Sequence, residues 1–428
     1  MFVQIHVLKD YSAALPNRDL SGLAKRMPYG DALRQRISSQ CIKAALRSPD
    51  AVLFRTGPDG SLAEDTLPRL GADLGLGISW RSRLIFPRLV LPRVAERIGD
   101  RTLAGAYVDA VAGLFARSAK GAEDEDGDLD ADEGAVAGAE PAEPGRLRQP
   151  IVLGEAEIDA IAATTAELAR HRVDPKLFAD LLLKERGLRK LPQAVQDAVE
   201  RMRAMRRHCG LDGALFGRMA TNEMVSNVEG CVAVAHALTV HGIQSQPDYF
   251  SVRDMLNRDD EAGASHTNTT ELTSGLFYSY AVVDLGGLAR NLVGLDARQR
   301  AGIVGWLVRA FHSVEPASKR GSTAPFGTVH EMVVEMGRRQ PRSLMGAFQK
   351  AIVPLARSEL SLSERAVAVL GDYRARMGAL SGAPERSWTL TASAAGPLPA
   401  FEALAAEVEA AVAAQGPART GASAERAA

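Results

Sequence analysis

Alternation of apolar and polar residues at the start of the chain predicts a first β-strand. In residues 2–8, FVQIHVL, every second side chain from Val3 onward is apolar, which is the period of a strand with one buried face. Short apolar runs predict further strands at 214–221, 276–285 and 331–336. Four strands spread over the chain indicate that distant segments meet in one sheet.

Apolar residues that recur every three or four positions predict helices between these strands. Helices are expected at 38–48, 230–241, 297–313 and 343–356, throughout 152–208, and once more in the Ala-rich sequence after residue 395. The resulting β-α-β/β-α-β order suits an α+β fold with a ferredoxin-like (RRM-like) core that is interrupted by insertions. The polar, irregular stretch 243–273 is predicted to be a long loop, and such loops are usually functional or disordered.

The acidic residues are concentrated in one segment. The chain of 428 residues has a net charge of −1, but ten carboxylates and no basic residue lie between Glu123 and Glu143. The remaining sequence has 51 basic residues against 42 acidic ones, a balance that is compatible with a nucleic-acid partner. Residues 119–150 are predicted to be disordered, because they contain too little apolar surface to bury.

The helix predicted at 38–48 begins in a group of cations and hydroxyls. Serine is a good N-cap residue, and the N–H groups of a helix start favour anions. On a period of 3.6 residues, Gln40, Lys43 and Arg47 share one stripe. The polar side chains of this segment are Arg34, Arg36, Ser38, Ser39, Gln40, Lys43 and Arg47. They form a candidate seat for a phosphate backbone, although a solvated basic face would have the same pattern.

The sequence gives little support to other classes of functional site. Three cysteines without a CxxC pair argue against a disulfide framework or a zinc site. Neither a Walker motif nor a complete dinucleotide fingerprint is present, and no apolar run is long enough for a membrane span. Two alternatives stay open. Asp19 or Asp31 could hold a metal for RNA cleavage, and the basic helix could bind a phosphorylated metabolite in a small-molecule enzyme.

The segment RISSQ at residues 36–40, followed by the basic helix, resembles the backbone subunit of the type I-E CRISPR surveillance complex, Cascade. This is the CasC family of the wider group of repeat-associated RNA-binding proteins. The resemblance is collinear over residues 2–355, but it is thin between 50 and 210 and absent in 119–150. The supporting segments are His6-Val7-Leu8, Asn17-Arg18-Asp19, Gly217–Thr221, Ala235-His236-Ala237, Ser274-Gly275, Phe277-Tyr278, Tyr280-Ala281 and Ala317-Ser318-Lys319.

The resemblance implies a hand-like subunit that is not an enzyme and needs no cofactor. Copies of it would stack along a crRNA in the cytoplasm and present the guide to target DNA, together with the large, small, cap and guide-processing subunits and without a membrane. The implied domains are a palm whose first part, 1–55, carries the RNA-binding helix, fingers at 56–213 with the acidic linker, palm again at 214–242, a thumb loop at 243–273, palm at 274–400, and a helix with a frayed tail at 401–428.

The resemblance also implies the residues that contact RNA. In addition to the cations and hydroxyls of the basic helix and its approach, these are Arg18, Lys25, Arg218, Met219, Tyr249, Phe250, Ser251 and Lys319. Cations would hold the sugar-phosphate backbone, Met219 would lie against a base, and Tyr249 with its neighbours would stand at a displaced base. A protein that accepts any guide must bind phosphate, sugar and stacked surfaces rather than base edges.

Overall fold

The computed structural model of the chain describes residues 1–56, 62–116, 145–184, 187–206, 208–220, 224–252, 266–316, 318–353, 359–392 and 401–415. The chain divides into two compact units. The first consists of Met1–Asp65, Val232–Ala289 and Asp296–Ala428. The second consists of Thr66–Cys231 and Arg290–Leu295. Of the segment 119–150 that was predicted to be disordered, residues 119–144 lie outside the described residues, whereas residues 145–150 are described and Leu147 is buried.

The strands vary greatly in length, and the two longest pair with each other. Their bounds are β1 Phe2–Ala14, β2 Arg26–Tyr29, β3 Ala32–Ile37, β4 Leu53–Thr56, β5 Leu62–Asp65, β6 Ser79–Ser82, β7 Ile151–Gly154, β8 Val232–Val234, β9 Ala237–Thr239, β10 Ser245–Val252, β11 His266–Asp284, β12 Thr328–Gly337 and β13 Arg386–Thr391. β1 and β11 pair antiparallel from Phe2 opposite Asp284 to Ala14 opposite Thr273.

The helices are found in both units. Their bounds are α1 Ser39–Arg47, α2 Leu67–Asp73, α3 Leu91–Ile98, α4 Arg101–Phe115, α5 Glu155–Arg170, α6 Phe178–Lys184, α7 Gln193–Met205, α8 Gly210–Phe216, α9 Leu285–Asn291, α10 Ala297–Ser313, α11 Arg320–Thr323, α12 Leu362–Ser381 and α13 Phe401–Ala413. Among the helices described by the structure, none is long and apolar enough to cross a membrane.

One antiparallel sheet organises the first unit. Its strand order is β13-β12-β1-β11-β9-β3-β2, and β8 and β10 also pair with β11. β1 lies between β11 and β12, and its residues Val3, Ile5, Val7 and Leu8 are at most 1% exposed. The fold is therefore a mixed one, in which helices cover an antiparallel sheet.

The two faces of this sheet carry different helices. Successive side chains of a strand point to opposite faces. Val7 of β1 lines a small cavity together with Ile42 of α1 and Phe311 of α10, whereas Leu8 packs in one cluster with Leu370 of α12. α1 and α10 therefore lie on one face and α12 lies on the other.

The second unit is mainly helical. Its apolar core includes Phe115, whose ring contacts those of Phe86 and Phe178, with Ile158 of α5 and Val195 of α7. A short antiparallel pair, β6 with β7, borders this core. Burial of large apolar side chains from these helices accounts for a separate compact unit.

The predicted elements with long, clear periods are confirmed. The predicted helix 297–313 coincides with α10, the helix at 38–48 is α1 with Ser38 as its N-cap, and the predicted first strand lies within β1. Strands were also correctly expected where β11 and β12 lie. The Ala-rich sequence after residue 395 contains α13.

Several shorter predictions are wrong. Residues 214–221 were expected to be a strand but include the end of α8, and 230–241 were expected to be a helix but form β8 and β9. In the run 343–356, the described residues 343–353 contain a short 3-10 helix, Met345–Phe348, in place of the expected α-helix. Of the expected long loop 243–273, the described residues 245–252 and 266–273 form paired strands, β10 with the first part of β11, and residues 253–265 lie outside the described part of the chain. In such short apolar runs, periodicity cannot distinguish helix from strand, and pairing with β11 decides the outcome.

Burial of His6 predicts a pH-dependent stability. Tyr278 Oη lies 2.8 Å from His6 Nδ1, and burial, aided by the charges of Arg374 and Arg342, lowers the His6 pKa from 6.5 to about 3. Between about pH 6.5 and pH 3, His6 is therefore protonated in the unfolded chain and neutral in the folded chain. We expect the free energy of unfolding to fall by up to about 1.4 kcal/mol per pH unit as pH drops from 6.5 towards 3.

Urea unfolding of the wild type and of His6→Gln, each at about pH 7 and about pH 5, measures this contribution. The comparison with the variant is needed because burial raises the pKa of Glu331 to about 7. Protonation of Glu331 therefore stabilises the folded chain as pH falls, which opposes the effect of His6. The wild type should lose about 2 kcal/mol more than the variant over this interval. Equal losses in the wild type and the variant would show that His6 binds its proton in the folded chain over the same pH range as in the unfolded chain.

Candidate nucleic-acid interface

The start of α1 is held by a serine cap and an asparagine. Ser38 Oγ accepts a hydrogen bond from the Cys41 N–H at 3.2 Å, and the Ser38 N–H donates to Asn17 Oδ1 at 2.9 Å. Ser38 is consequently buried, and its hydroxyl serves the helix. Asn17, which sequence reasoning did not select, orients this helix start, and its position in the Asn17-Arg18-Asp19 segment was the available sign.

The next residues of α1 are more accessible. The Ser39 N–H donates to His236 Nδ1 at 3.2 Å, and Ser39 Oγ lies 3.2 Å from Gln40 Oε1. Gln40 is exposed and Ser39 is half-buried. His236, which lies between β8 and β9, therefore caps the start of α1. The side chains of Ser39 and Gln40 remain accessible to solvent.

Lys43 and Arg47 lie one turn apart on α1 and are both half-buried. Burial first and the charge of Arg47 second lower the pKa of Lys43, and no acidic residue stands in the first turn of the helix. Two like charges held close together favour a bound anion, which would relieve their repulsion. This pair is the chemically distinctive feature of the interface.

Three further cations lie beside α1. The Lys25 N–H donates to the Asn17 carbonyl at 3.0 Å, and the Arg36 N–H donates to the Lys25 carbonyl at 2.8 Å. Arg18 is exposed, and Lys25 and Arg36 are half-buried. The buried Nε of Arg36 has no hydrogen-bond partner within the described part of the chain. These backbone bonds bring Arg18, Lys25 and Arg36 to the N-terminal end of α1.

The hairpin of β10 and β11 carries two exposed aromatic side chains. Tyr249 is 68% exposed and Phe250 is 41% exposed, and they face Thr269 and Asn268 in the β-register. As neighbours on one strand, they point to opposite faces of the hairpin. The side chain of Ser251 lies outside the described residues. An aromatic ring on each face could stack on bases from either side.

Lys319 lies against the base of this hairpin. Its ammonium donates to Thr270 Oγ1 of β11, and its backbone has a left-handed conformation with φ of 50°. A neutral hydroxyl leaves the charge of the ammonium uncompensated by that bond. Near the same base, Ala13, residues 244–248 and residues 272–274 line an open concavity of about 450 Å³.

For Arg34 the structure supplies a different role from the RNA contact expected. Arg34 lies on β3, which precedes α1, and is 0% exposed. Its guanidinium donates to the carbonyls of Tyr29, Thr239 and Phe348 at 3.2, 3.1 and 2.8 Å. Arg34 thus joins three segments of the first unit, and we leave it out of the proposed contacts.

Arg218 likewise has a structural role, and it belongs to the second unit. It is 4% exposed and pairs with Glu157, and it donates to the carbonyls of Arg206 and Ser226. Its neighbour Met219, also in the second unit, is 80% exposed. Of this pair only Met219 has a side chain that a base could contact.

The two carboxylates considered for metal-assisted cleavage hold local backbone. Asp19 Oδ1 accepts the N–H groups of Ser21 and Leu23 at 2.9 and 3.0 Å. Asp31 Oδ1 accepts the Ala351 N–H at 2.7 Å and lies 3.6 Å from Arg34. Within the described ranges, no group of three or more His, Cys, Asp or Glu residues is placed to hold a metal ion.

Comparison with solved structures shows the same fold elsewhere. A chain of a structure titled "CRISPR RNA-guided surveillance complex, pre-nicking" is 24% identical and superposes with a TM-score of 0.70, and 96% of this chain and 100% of that chain are covered. A chain of another, titled "CRISPR RNA-guided surveillance complex", is 23% identical with a TM-score of 0.62 and the same coverage. No curated protein matches.

The family comparison covers almost the whole chain. The family model described as "CT1975-like protein" matches residues 3–413, a range that includes the sheet of the first unit, the helical second unit and every candidate contact residue above. The chain belongs to the CT1975-like protein family, a Cas family.

Proposed function

We propose that this chain is a guide-RNA-binding backbone subunit of a Cascade-type CRISPR surveillance complex, of the type I-E CasC kind. The observation that carries the proposal is the half-buried pair Lys43 and Arg47 on a helix without an acidic first turn. Arg18, Lys25 and Arg36 extend the positive charge at one end of this helix.

Such a surface suits a polyanion of any sequence. Ammonium and guanidinium groups bind phosphates without reading bases, so affinity is independent of sequence and falls with salt. The polar and charged side chains proposed to bind the polyanion are Arg18, Lys25, Arg36, Ser39, Gln40, Lys43, Arg47 and Lys319. They contact phosphates and sugars of the guide in the proposed complex.

The hairpin of β10 and β11 acts as the thumb in this proposal. Tyr249 and Phe250 stand at a displaced base, with Ser251 beside them, and Met219 lies against a base. Unstacking a base costs a few kcal/mol, which the phosphate contacts of successive subunits offset.

The proposed architecture is a ferredoxin-like palm with helical fingers. The strand order β12-β1-β11-β9, with α1 after β1 and α10 after β11, supports the palm. The helical second unit supports the fingers. Copies of the chain stack along the crRNA, and the guide pairs with target DNA.

The titles of the similar structures support the proposed partners. Both name an RNA-guided surveillance complex, and the matched chains are covered completely. We propose crRNA, further copies of this chain and the large, small, cap and guide-processing subunits as partners. The role is non-catalytic, and a separate nuclease cuts the target.

Assembly on RNA of graded length tests this function. The purified chain is mixed with single-stranded RNAs of two unrelated sequences, each in several lengths, and the complexes are weighed by native mass spectrometry. We expect the number of bound copies to rise in proportion to RNA length and to be equal for both sequences, because every copy covers a fixed stretch of backbone.

Duplex RNA of the same lengths is the control and should bind few copies, because a wedge between bases needs an open strand. A constant one-to-one complex at all lengths would contradict the backbone role. Magnesium-dependent cleavage of the RNA that disappears in Asp31→Ala would contradict the non-catalytic role.

A further inference from the structure

A buried carboxylate lies at the base of the thumb hairpin. Glu271 is on β11, opposite Pro247 of β10, and is only 8% exposed. It lies two residues from Thr273, where the pairing of β11 with β1 ends at Ala14. It is the one acidic residue of the run TNTTELTS at residues 267–274, at the point where the hairpin leaves the sheet.

Glu271 holds both chain neighbours of Lys25. Its Oε2 accepts the Ala24 N–H at 2.5 Å. Its Oε1 and Oε2 accept the Arg26 guanidinium at 2.9 and 3.3 Å. Both contacts come from one nitrogen, Arg26 Nη2, and a hydrogen bond between charged groups is stronger than one between neutral groups. The carboxylate therefore holds the backbone before Lys25 through Ala24 and the side chain after it through Arg26.

The backbone of Lys25 is fixed by two further bonds. Its N–H donates to Asn17 and its carbonyl accepts the Arg36 N–H. With both neighbours held by Glu271, the direction in which the Lys25 side chain leaves the chain is set before any ligand arrives. A cation that is oriented in advance loses less conformational freedom on binding.

Adjacent residues of β11 hold other segments of the same interface. Thr270 accepts the Lys319 ammonium. Thr273 Oγ1 accepts Gln35 Nε2 at 2.7 Å and donates to the Ala14 carbonyl at 2.7 Å. The strand that continues into the hairpin is thus the common support of these segments.

We infer that Glu271 is a positioning residue, which holds Lys25 in fixed relation to the hairpin that carries Tyr249 and Phe250. The inference rests on the proposed RNA-binding function and specifies how two separate parts of that site are kept in register. Glu271 makes no contact with RNA; its carboxylate acts through Ala24 and Arg26.

A purely stabilising role for the Arg26–Glu271 pair is the competing explanation. Buried ion pairs are weak indicators of stability, and loss of one would lower affinity for any ligand by partial unfolding. Positioning has a narrower consequence, since it removes one phosphate contact, that of Lys25, and leaves the contacts of α1 unchanged.

A double-mutant cycle between Glu271→Gln and Lys25→Ala separates the two. Affinity of the full chain for a fluorescein-labelled single-stranded RNA of mixed sequence is measured at several salt concentrations. Loss of one phosphate contact lowers the slope of log affinity against log salt by about 0.7, which corresponds to about fourfold weaker binding at ~0.15 M salt. We expect this effect in either single variant and no additional loss in the double variant.

Two further variants guard the result against misfolding. Arg26→Gln with Glu271→Gln removes the pair without leaving a buried unpaired charge, and it should show the same change of slope. Glu335→Gln is the matched control. Glu335 is also buried and paired, with Arg374 Nε at 2.7 Å, but it lies on the sheet face opposite α1, so its slope should equal that of the wild type.

The outcomes are distinguishable. Additive losses in the cycle with Lys25, or an equal coupling of Glu271 with Lys43, would overturn the inference. So would an unchanged slope in Lys25→Ala while Lys43→Ala still lowers it, and the proposed function would then stand. If neither lysine variant alters RNA affinity, the proposed function itself fails.

Discussion

Replacing Lys43 and Arg47 together with alanine is expected to weaken the binding of single-stranded RNA about tenfold at ~0.15 M salt. Both cations are half-buried on α1, and each is expected to release the counterions of one phosphate. The slope of log affinity against log salt should fall by about 1.4, twice the single-strand value per phosphate. Fluorescence anisotropy over a range of salt concentrations measures both quantities.

The same loss is expected for unrelated guide sequences, because no base edge is read. A control with equal loss of charge is Arg298→Ala with Arg376→Ala. Arg298 and Arg376 are exposed and lie on α10 and α12, and neither belongs to the α1 stripe. The control should keep the wild-type slope. If the two double variants lost RNA affinity and salt slope equally, the affinity would depend on net charge alone, and α1 would not be part of the interface.

The relation between Lys43 and Arg47 was predictable from the sequence because it is local. A serine cap and a period of 3.6 residues fix which side chains share the outer stripe of α1. The helix and its cap are found as expected. The same reasoning succeeds for α10, where seventeen residues of regular pattern leave no competing interpretation.

The role of Arg34 was not predictable, because it depends on partners far away in the chain. Arg34 donates to Thr239 and Phe348, which are 205 and 314 residues distant. Next to RISSQ, its charge resembles part of a phosphate site. In the fold it satisfies carbonyls at the junction of β3 and β9, a need that only the assembled sheet creates.

Glu271 is the opposite case to Arg34, because the sequence analysis did not select it. A lone glutamate among threonines offers no motif, and its partners Ala24 and Arg26 are 247 and 245 residues away. The strand β10 and the first part of β11 were predicted as part of an irregular loop for the same reason. The sequence of β10 is polar, and its regular structure depends on pairing with β11. Sequence patterns report faces of single elements, while this interface is built where several elements meet.

Arg218→Met is expected to lower the free energy of unfolding by about 3–5 kcal/mol, since removing one member of a buried ion pair leaves the other uncompensated. The Arg218 and Glu157 side chains are 1% and 0% exposed. Burial raises the pKa of Glu157, and Arg218 opposes that rise. Without Arg218, the Glu157 pKa rises further above its unfolded value, so the variant should be relatively more stable in acid and lose stability as pH increases.

Urea unfolding followed by circular dichroism checks both the size and the pH trend. Adding Glu157→Gln to Arg218→Met should restore part of the loss, because the stranded charge is then gone. Arg81→Ala is the matched control, since Arg81 is an exposed arginine of the same unit, and it should change stability by less than about 0.5 kcal/mol. Loss of RNA binding in folded Arg218→Met, at temperatures well below its transition, would return Arg218 to the contact surface. Normal RNA binding by the folded variant would restrict the role of the Arg218–Glu157 pair to the core of the second unit.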